Sequence, residues 1–303
     1  MRGVRFAPSP TGRFHIGNLR TAWVSHRLAR TLGEPWVVRC EDIDTPRVVP
    51  GAREKQLEDL AALGLVPDEV VLQSGRHQRH RELFEKAASD SVIYPCSCSR
   101  REVQQALAQA ASAPHDSVPA YNGACRGGLQ RPAAADASLA WRFRGADPSG
   151  SGDFIVARST SSREGFAPAY HWACAIDDFD GRYAWIVRAS DLKEATPQQR
   201  EIQRWLARDA GVPFAPPGVL HTALVVQDDG HRLEKRTRGV TLDEVLSRVP
   251  LPRLLAAFEA SLEPVLLRRL QELHRLGPTG RVEAEARDVL PMKAWLAEVQ
   301  TSR

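Results

Sequence analysis

The sequence predicts an α/β fold in which helices cover a parallel sheet. Short apolar strands alternate with helices along the first part of the chain, a pattern typical of parallel sheets. The pattern stops at Pro95, where a segment rich in Ala, Pro, Gly, Ser and Arg begins, and it resumes at Phe154. Leucines at helical spacing follow near the end of the chain. These three features predict an α/β domain with an inserted module and a helical C-terminal region.

The predicted elements follow one another in the order that such a fold requires. In the first half we predict strands at Val4–Ala7 and Trp36–Cys40, and helices at Asn18–Leu32, Gly51–Leu63 and Ser74–Ala88. In the second half we predict strands at Phe154–Ala157, Tyr183–Arg188 and Leu220–Gln227, and helices at Ala169–Asp178 and Thr196–Ala210. Apolar residues from Leu251 to Leu273, interrupted by Pro264, predict the terminal helices.

Helix-ending and helix-starting residues support several of these bounds. Gly33 and Gly64 directly follow the first two periodic segments, where a left-handed C-cap is expected. Ser74 can cap the third helix, and Pro197 stands at a favoured first position of the fifth. By composition, the chain divides into residues 1–94 and 153–215 as the two halves of one α/β domain, 95–152 as the insertion, and 216–303 as the C-terminal region.

The composition is that of an ordinary globular protein. Of the 303 residues, 43% are hydrophobic and 26% are charged. No apolar run approaches the ~20 residues of a membrane helix, and the N-terminus lacks the apolar region of a secretory signal. We therefore expect a cytoplasmic protein and a monomer. The net charge of +4 is compatible with a nucleic-acid partner but does not require one.

The stretch from Phe6 to Asn18 is the most informative motif. It reads Phe-Ala-Pro-Ser-Pro-Thr-Gly-Arg-Phe-His-Ile-Gly-Asn, a strand that passes through a tight loop into a helix. In parallel sheets phosphates bind at such turns, on free N–H groups of the helix N-terminus. Gly12 and Gly17 would let a nucleotide approach the backbone, and His15 can donate to phosphate oxygens. On spacing alone, a Pro/Gly turn with a surface histidine is an equal alternative.

Together with three later segments, this motif resembles the class I glutamyl-tRNA synthetase family. The segment from Arg5 resembles the start of those enzymes with their HIGH motif, whose second histidine is replaced here by Asn18. Val-Arg-Cys-Glu-Asp-Ile-Asp at 38–44 resembles their R-x-E-D-x-D segment, and the segments 169–178 and 186–191 follow in the family's order. The resemblance covers roughly residues 1–240 and implies a class I synthetase Rossmann-like parallel sheet.

The resemblance implies a site for L-glutamate. Glu41 would contact the α-amino group, Arg5 and Arg188 would bind carboxylate, and Ser9 and Tyr170 would add neutral hydrogen bonds. Guanidinium groups suit carboxylates because they form paired, directional bonds. Glutamine would be rejected, since its amide would leave a buried arginine unpaired. Asp42 and Asp44 are expected to be structural, and Cys174 to be a variation of the pocket.

The resemblance also implies a site for ATP with Mg²⁺. The nucleotide would lie against Gly12, His15, Gly17 and Lys235, with His15, Asn18 and Lys235 as the catalytic residues. Lys235 lies in Arg-Leu-Glu-Lys-Arg at 232–236, which resembles the KMSKS loop of class I synthetases. Glu234 replaces the serine of that signature and brings a negative charge near the phosphates. The alternative reading of this segment is a basic surface loop.

Cysteines cluster in the inserted module. The chain has five, an odd count that argues against a disulfide framework, and Cys96, Cys98 and Cys125 fall in one stretch. Thiolates are natural Zn²⁺ ligands, and closed four-coordinate sites stabilise small loop-rich modules. A structural zinc ion needs a fourth ligand. Family resemblance indicates Tyr121, while on chemistry alone His115 competes, and three free cysteines are the remaining alternative.

The length of the chain bears on which molecule receives the glutamate. Too few residues follow Arg236 for the large helical anticodon-binding region of full-length glutamyl-tRNA synthetases. The short architecture with its Cys-x-Cys and Tyr-x-x-x-Cys insertion resembles the glutamyl-Q tRNA(Asp) synthetase family. This implies glutamyl-adenylate formation without tRNA, then transfer of glutamate to queuosine in the tRNA(Asp) anticodon. The alternatives are transfer to a tRNA 3′ end, a non-catalytic paralogue that binds tRNA or an amino acid, and a HIGH-type nucleotidyltransferase, which would not need the Glu41 and Arg188 pair.

Overall fold

The structure is a computed structural model that describes residues 3–104, 121, 123–134, 136–145, 152–226, 241–262, 264–275, 283–285 and 289–291. The chain forms two compact units. The first comprises Met1–Ser74, Gly181–Lys193 and Ala215–Arg303, and the second comprises Gly75–Asp180 and Glu194–Phe214. No helix in the described part is both long and apolar enough to cross a membrane.

Twelve strands and eight α-helices are defined within the described residues. The strands are β1 (Val4–Phe6), β2 (Trp36–Cys40), β3 (Glu69–Leu72), β4 (Ile93–Cys96), β5 (Leu139–Phe143), β6 (Phe154–Ser159), β7 (Ala167–Pro168), β8 (Trp185–Ala189), β9 (Gly218–Thr222), β10 (Leu224–Val226), β11 (Glu283–Glu285) and β12 (Val289–Pro291). The helices are α1 (Ile16–Leu32), α2 (Ala52–Ala62), α3 (His77–Ser89), α4 (Tyr170–Gly181), α5 (Ala195–Asp209), α6 (Leu242–Leu246), α7 (Leu251–Ala260) and α8 (Pro264–Arg275).

A parallel sheet organises the first unit, and it confirms the predicted α/β fold. In the described residues its strands stand in the order β11-β9-β8-β1-β2-β3, and each neighbouring pair is parallel. Val4 lies opposite Trp36 on one side and opposite Trp185 on the other. The chain crosses from β2 and β3 to β8 on the other side of β1, so the central strand is the first one in the sequence. A separate parallel pair joins β10 and β12.

Strand alternation divides the residues of this sheet between its two faces. Successive side chains of a strand point to opposite faces, so the apolar residues of one face recur every second position. One face packs against α1: Val4 and Phe6 of β1, Trp36 and Val38 of β2, Trp185 and Val187 of β8, and Leu220 of β9 belong to the same buried cluster as Leu19 and Leu28. The other face therefore carries the alternate residues of these strands, which include Arg5, Arg39, Arg188 and His221.

The C-terminal helices complete the core of the first unit. Leu254 and Phe258 of α7 and Leu270 of α8 are fully buried in the cluster that contains α1. The ring of Phe258 lies 5.9 Å from that of Trp23. Helix α8 begins at Pro264, the residue that interrupts the leucine pattern, because proline is tolerated in a first turn and not inside a helix. The predicted helical C-terminal region is present in the described residues.

The second unit contains an antiparallel sheet. Strands β4, β5, β6 and β7 pair antiparallel in that order. The expectation that the strand at Phe154 resumes the parallel pattern is therefore wrong, because β6 pairs with β5 from the Ala-rich segment. Apolar residues of this sheet, of α3, of α4 and of α5 form a separate core, in which the rings of Trp172 and Trp205 stack at 5.7 Å.

Candidate active site

The loop between β1 and α1 gives His15 a double role at the helix N-terminus. His15 is the N-cap: its Nδ1 accepts a hydrogen bond from the Gly17 N–H at 3.1 Å. Asn18 Oδ1 accepts the His15 N–H at 3.3 Å, which closes a capping box. With Nδ1 as acceptor, a neutral His15 carries its proton on Nε2. Asn18 thus has a definite structural contact, one that fixes the backbone of His15.

Glycine at position 17 follows from this geometry. A Cβ atom there would lie 3.0 Å from two atoms of the His15 ring, closer than real Cβ contacts allow without a shift. Gly12 adopts a φ of 133°, a conformation that favours glycine. The Gln56 side-chain amide donates to the backbone oxygens of Ser9 at 3.1 Å and Gly12 at 2.7 Å, so α2 holds the loop in place. The exposed Ser9 side chain is not needed for that attachment.

Thr241 and Asp243 contact the loop between β1 and α1. Arg232, Glu234, Lys235 and Arg236 lie outside the described residues. The next described residue, Thr241, forms a β-bridge with His15. Arg13 donates to Asp59 at 2.6 Å and also to Asp243 in α6. These two carboxylates raise the pKa of the Arg13 guanidinium through the hydrogen bonds that they accept. Thr241 and the start of α6 are thereby fastened to the HIGH-like motif.

Three buried arginines lie on the sheet face opposite α1. Arg5, Arg39 and Arg188 have exposed fractions of 3%, 1% and 4%. Arg188 Nε donates to His221 Nε2 at 3.3 Å, and the two residues are directly opposite each other on β8 and β9. Since a charged imidazole would have no lone pair to accept this bond, Nε2 of His221 is unprotonated here. Sequence reasoning found Arg5 and Arg188 but missed His221, whose signal was a single polar residue in an apolar strand.

Glu41 directly follows β2, where its carboxylate meets one of these arginines. Arg39 Nη2 donates to Glu41 Oε1 at 3.0 Å, and both side chains are buried. The Glu41 N–H donates to the Pro8 oxygen at 2.9 Å, which joins the end of β2 to the loop after β1. Sequence reasoning assigned no role to Arg39, although an arginine inside an apolar strand was a visible signal. The neighbouring Cys40 is an inert thiol, because burial raises its pKa to about 12.

The next two carboxylates have structural partners, as expected. Asp42 accepts hydrogen bonds from the backbone N–H of Ser74 at 2.7 Å and from its hydroxyl at 2.8 Å. Asp44 forms an exposed ion pair with Arg47. Both carboxylates thus hold the chain that follows β2 in place. Their contacts do not direct either of them toward a ligand.

Two of the predicted residues belong to the second unit. Tyr170 is the first residue of α4, and its ring lies 5.5 Å from that of His171 in an edge-on arrangement. Cys174, one turn further along, is 1% exposed and packs inside this unit. Burial of Cys174 agrees with its assignment as a packing residue instead of a nucleophile.

The cysteine cluster of the second unit has the geometry of a metal site. Sγ atoms of Cys96, Cys98 and Cys125 lie within 4.8 Å of one another, with 3.6 Å between Cys98 and Cys125. The Tyr121 hydroxyl is 3.3 Å from the Sγ atoms of both Cys96 and Cys98. Tetrahedral zinc with Zn–S bonds of about 2.3 Å separates its sulfur ligands by about 3.7 Å. The cluster could therefore hold a metal ion, with Tyr121 near enough to complete it; His115 lies outside the described residues.

Burial and local hydrogen bonds shift the pKa values of Cys98 and Cys125 in opposite directions. Burial would raise the pKa of Cys125, but hydrogen bonds from the backbone N–H groups of Gln130 and Ser97, and from Tyr121 and Cys98, lower it to about 6. Burial raises the pKa of Cys98, and it also raises that of Tyr121, where hydrogen bonds to the three cysteines act in the same direction. A bound cation would reverse the latter shifts, because it favours the ionised ligands.

Comparison with known proteins points to one group of enzymes. The family model of tRNA synthetases class I (E and Q), catalytic domain, matches residues 3–141. Glutamyl-Q tRNA(Asp) synthetase of Burkholderia mallei is 37% identical over 275 residues, which cover 84% of this chain and 86% of that protein. The protein of the same name from Neisseria meningitidis serogroup C is 37% identical over 257 residues, which cover 79% of this chain and 82% of its own.

Solved structures agree in fold. A glutamate tRNA ligase from Elizabethkingia meningosepticum, crystallised in complex with its amino acid, matches with a TM-score of 0.56 and 24% identity. The match covers 78% of this chain and 52% of that ligase, so the chain spans about half the length of the solved protein. At this identity the likeness shows the fold alone, and it confirms the predicted class I synthetase architecture.

The buried Arg39–Glu41 pair predicts an asymmetric response to substitution. Arg39→Met removes the cation that faces the Glu41 carboxylate and should lower the free energy of unfolding by about 3 kcal/mol. The matched change Arg47→Met removes the exposed partner of Asp44 and should cost less than about 1 kcal/mol. Urea unfolding followed by circular dichroism measures both values. Equal losses in the two variants would contradict the importance given to burial of the first pair.

Proposed function

The chain belongs to the glutamyl-Q tRNA(Asp) synthetase family of class I tRNA synthetases, and we propose that it activates L-glutamate with ATP and transfers it to queuosine in the anticodon of tRNA(Asp). The observation that carries the proposal is the set of buried charges in the first unit. Arg5, Arg188 and the Arg39–Glu41 pair lie at one face of a parallel sheet whose first strand leads into a phosphate-type helix N-terminus. Glutamate needs cations for its carboxylates and an anion for its ammonium group, and ATP needs such a helix start.

Recognition of glutamate follows from these charges. Arg5 and Arg188 bind carboxylate, and Glu41 binds the α-amino group, with Ser9 adding a neutral hydrogen bond. The contact with His221 restricts the rotation of the Arg188 guanidinium, so less freedom is lost when a carboxylate binds. The contact with Arg39 fixes Glu41 in the same way. Glutamine binds poorly, because its amide cannot compensate a buried arginine.

Activation is a displacement at the α-phosphorus of ATP. A carboxylate oxygen of glutamate attacks that phosphorus, and pyrophosphate leaves with the negative charge. The N-terminus of α1 faces the phosphates at Gly12 and Gly17, and the His15 Nε2–H donates to an oxygen that gains charge. Asn18 contributes by holding the backbone of His15. Lys235 would neutralise charge on the departing phosphates, and Mg²⁺ bound with ATP would supply further positive charge there.

The lengths of similar proteins support one identity for the molecule that receives the glutamate. The chain spans 86% of the Burkholderia glutamyl-Q tRNA(Asp) synthetase, but only 52% of the solved glutamate tRNA ligase. This supports queuosine in tRNA(Asp) over a tRNA 3′ end as the acceptor. A tRNA substrate also supports work in the cytoplasm.

We further propose that the ion held by Cys96, Cys98, Cys125 and Tyr121 is a structural Zn²⁺. Three thiol ligands favour zinc over magnesium or calcium, which prefer oxygen. In the described residues, no histidine, aspartate or glutamate joins the cluster of three cysteines, so no acid–base group accompanies the ion. Zinc would therefore stabilise the module that carries β4 and β5 without taking part in the chemistry.

Two assays test the function together. Glutamate-dependent ATP–pyrophosphate exchange without tRNA should proceed with glutamate and not with glutamine or aspartate. Labelled glutamate should then attach to tRNA(Asp) that contains queuosine, and the label should survive removal of the tRNA 3′ end. Loss of label with the 3′ end would establish ordinary aminoacylation. No exchange, even with tRNA present, would leave a binding paralogue, with Glu234 as the leading cause of inactivity.

Arg188→Ala should abolish glutamate activation while the fold is kept. Losing one partner of a buried charge pair costs about 2–5 kcal/mol, so kcat/KM in the exchange assay should fall by at least about 30-fold. The control is Arg27→Ala, which removes an exposed arginine of α1 paired with Glu259 and should leave exchange unchanged. Far-UV circular dichroism of both variants checks the fold. Exchange at the wild-type rate in Arg188→Ala would refute the glutamate assignment.

Ligand substitutions distinguish the candidates for the zinc site. Cys98→Ser should lose the bound ion, and Tyr121→Phe should weaken zinc binding by about tenfold or more, the least expected when even an outer contact is lost. His115→Ala should retain zinc. Zinc content by atomic absorption and competition with a chelator measure these effects, and thermal unfolding reports the loss of structural support. Zinc loss in His115→Ala with retention in Tyr121→Phe would reverse the assignment of the fourth ligand.

A further inference from the structure

Arg13 connects the loop between β1 and α1 to two helices. Its Nη2 donates to Asp59 of α2 at 2.6 Å, and its Nη1 donates to Asp243 of α6. Because the nitrogens of a guanidinium are fixed in one plane, a single side chain sets the spacing between these two carboxylates. All three residues belong to the first unit. Arg13 therefore lies at a junction of three elements, two residues before His15.

The two contacts of Arg13 differ in burial. The Asp59 side chain is 4% exposed, whereas that of Asp243 is 70% exposed. Within the described part of the chain, Asp59 pairs with no cation other than Arg13, and its Oδ2 is buried without a donor. A buried carboxylate depends on its partner, while an exposed ion pair contributes little. The contact with Asp59 therefore holds Arg13 in place, and the contact with Asp243 adds less.

Helix α2 holds the backbone of this loop with the same face that holds Arg13. Gln56 and Asp59 are three residues apart on α2, and each is 3% exposed. The Gln56 amide donates to the backbone oxygens of Ser9 and Gly12, directly before Arg13. The loop is thus attached to α2 through its backbone at Gly12 and through the side chain of the next residue.

The second contact of Arg13 reaches the segment that also contacts His15. Thr241 is the N-cap of α6 and forms a β-bridge with His15, and Asp243 lies in the first turn of the same helix. Arg13 and His15 therefore contact residues only two positions apart. Residues 9–15 are held on one side by α2 and on the other by the start of α6.

Arg13 also compensates charge beside this loop. Without its guanidinium, the carboxylates of Asp59 and Asp243 would both lack this cation. Like charges repel over several ångströms, most strongly where burial reduces screening by water. A triphosphate bound at the N-terminus of α1 would then meet two nearby negative charges instead of a compensated group.

We propose that Arg13 is a positioning residue for ATP. By joining Asp59 and Asp243, it holds the loop before α1 in the position that receives the triphosphate, and it compensates carboxylates that would repel the nucleotide. The proposal rests on the proposed function for the identity of the nucleotide. Glutamate is bound by charges on the sheet, so Arg13 acts on the affinity for one substrate and not for the other.

The test measures each substrate separately with the full-length protein. Isothermal titration with ATP and Mg²⁺ in the absence of glutamate gives Kd for ATP, and glutamate-dependent exchange gives KM for both substrates. Arg13→Met should raise Kd and KM for ATP about tenfold. This value lies between the less than about fivefold loss of an exposed pair and the about 30-fold or greater loss of a buried one. KM for glutamate should stay within twofold of wild type.

Two variants serve as matched controls. Arg53→Met removes an arginine of α2 that is 41% exposed, close to the 36% of Arg13, and that pairs with the exposed Glu54. It should leave KM for both substrates within twofold of wild type. Asp243→Asn removes only the exposed contact of Arg13 and should raise Kd for ATP less than about fivefold.

A double variant separates positioning from folding. Arg13→Met leaves the buried Asp59 carboxylate unpaired, so its thermal unfolding temperature should fall. Arg13→Met/Asp59→Asn removes that charge and should recover most of the unfolding temperature. Its Kd for ATP should stay raised, because the connection between the loop and α2 is still missing. Recovery of both values would show that Arg13 only stabilises the fold, and would overturn the proposal.

Other outcomes would also overturn it. They are an unchanged Kd for ATP in Arg13→Met, an equal rise of KM for ATP and glutamate in that variant, and an equal effect in Arg53→Met. Failure of the proposed function is distinguishable from these. Wild-type protein would then bind ATP without exchange, and the effect of Arg13→Met on Kd would still be measured. A wild-type protein that binds no ATP would overturn both proposals.

Discussion

The structure of the first unit depends on how a parallel sheet buries charge. Alternation along β1, β2 and β8 sends one set of residues into the core with α1 and the other set, including Arg5, Arg39 and Arg188, to the opposite face. A buried arginine is tolerated only when its donors are bonded. Arg39 donates to Glu41, and Arg188 donates to His221. The sheet thus presents oriented cations and one oriented carboxylate, the charges that an amino acid with a second carboxylate requires.

At the start of the helix that follows β1, a single residue serves two purposes. His15 uses Nδ1 to cap α1, which leaves the Nε2 proton for chemistry, and Asn18 completes the cap where the HIGH motif has a histidine. Gly17 permits the ring to lie close, and Thr241 joins the returning chain to the same residue. Asn18 therefore replaces the second imidazole of the HIGH motif with an amide, and this amide fixes the backbone of His15.

Patterns within short stretches of the sequence predicted the features that those stretches themselves form. Helix α1 begins within two residues of its predicted start, and Cys96, Cys98 and Cys125 converge as their spacing indicated. Contacts between distant segments could not be predicted in this way. The pairing of β5 with β6 was hidden by the composition around it, since an Ala-rich stretch carries no strand signal. His221 acquires its partner Arg188 only through strand register, which a single sequence does not display. Arg39 meets Glu41 two residues further on, but the burial that gives this pair its importance is likewise not visible in the sequence.

The two units place arginines in opposite environments, and the environment decides what each can recognise. A buried guanidinium is already oriented and desolvated, so it distinguishes a carboxylate from an amide at a fixed point. An exposed guanidinium is mobile, hydrated and screened by salt, so it distinguishes little between sequences but attracts a chain of phosphates over a distance. Arg188 belongs to the first kind and Arg158 to the second. Arg142 combines both, since it is buried against Tyr121 while lining an open groove.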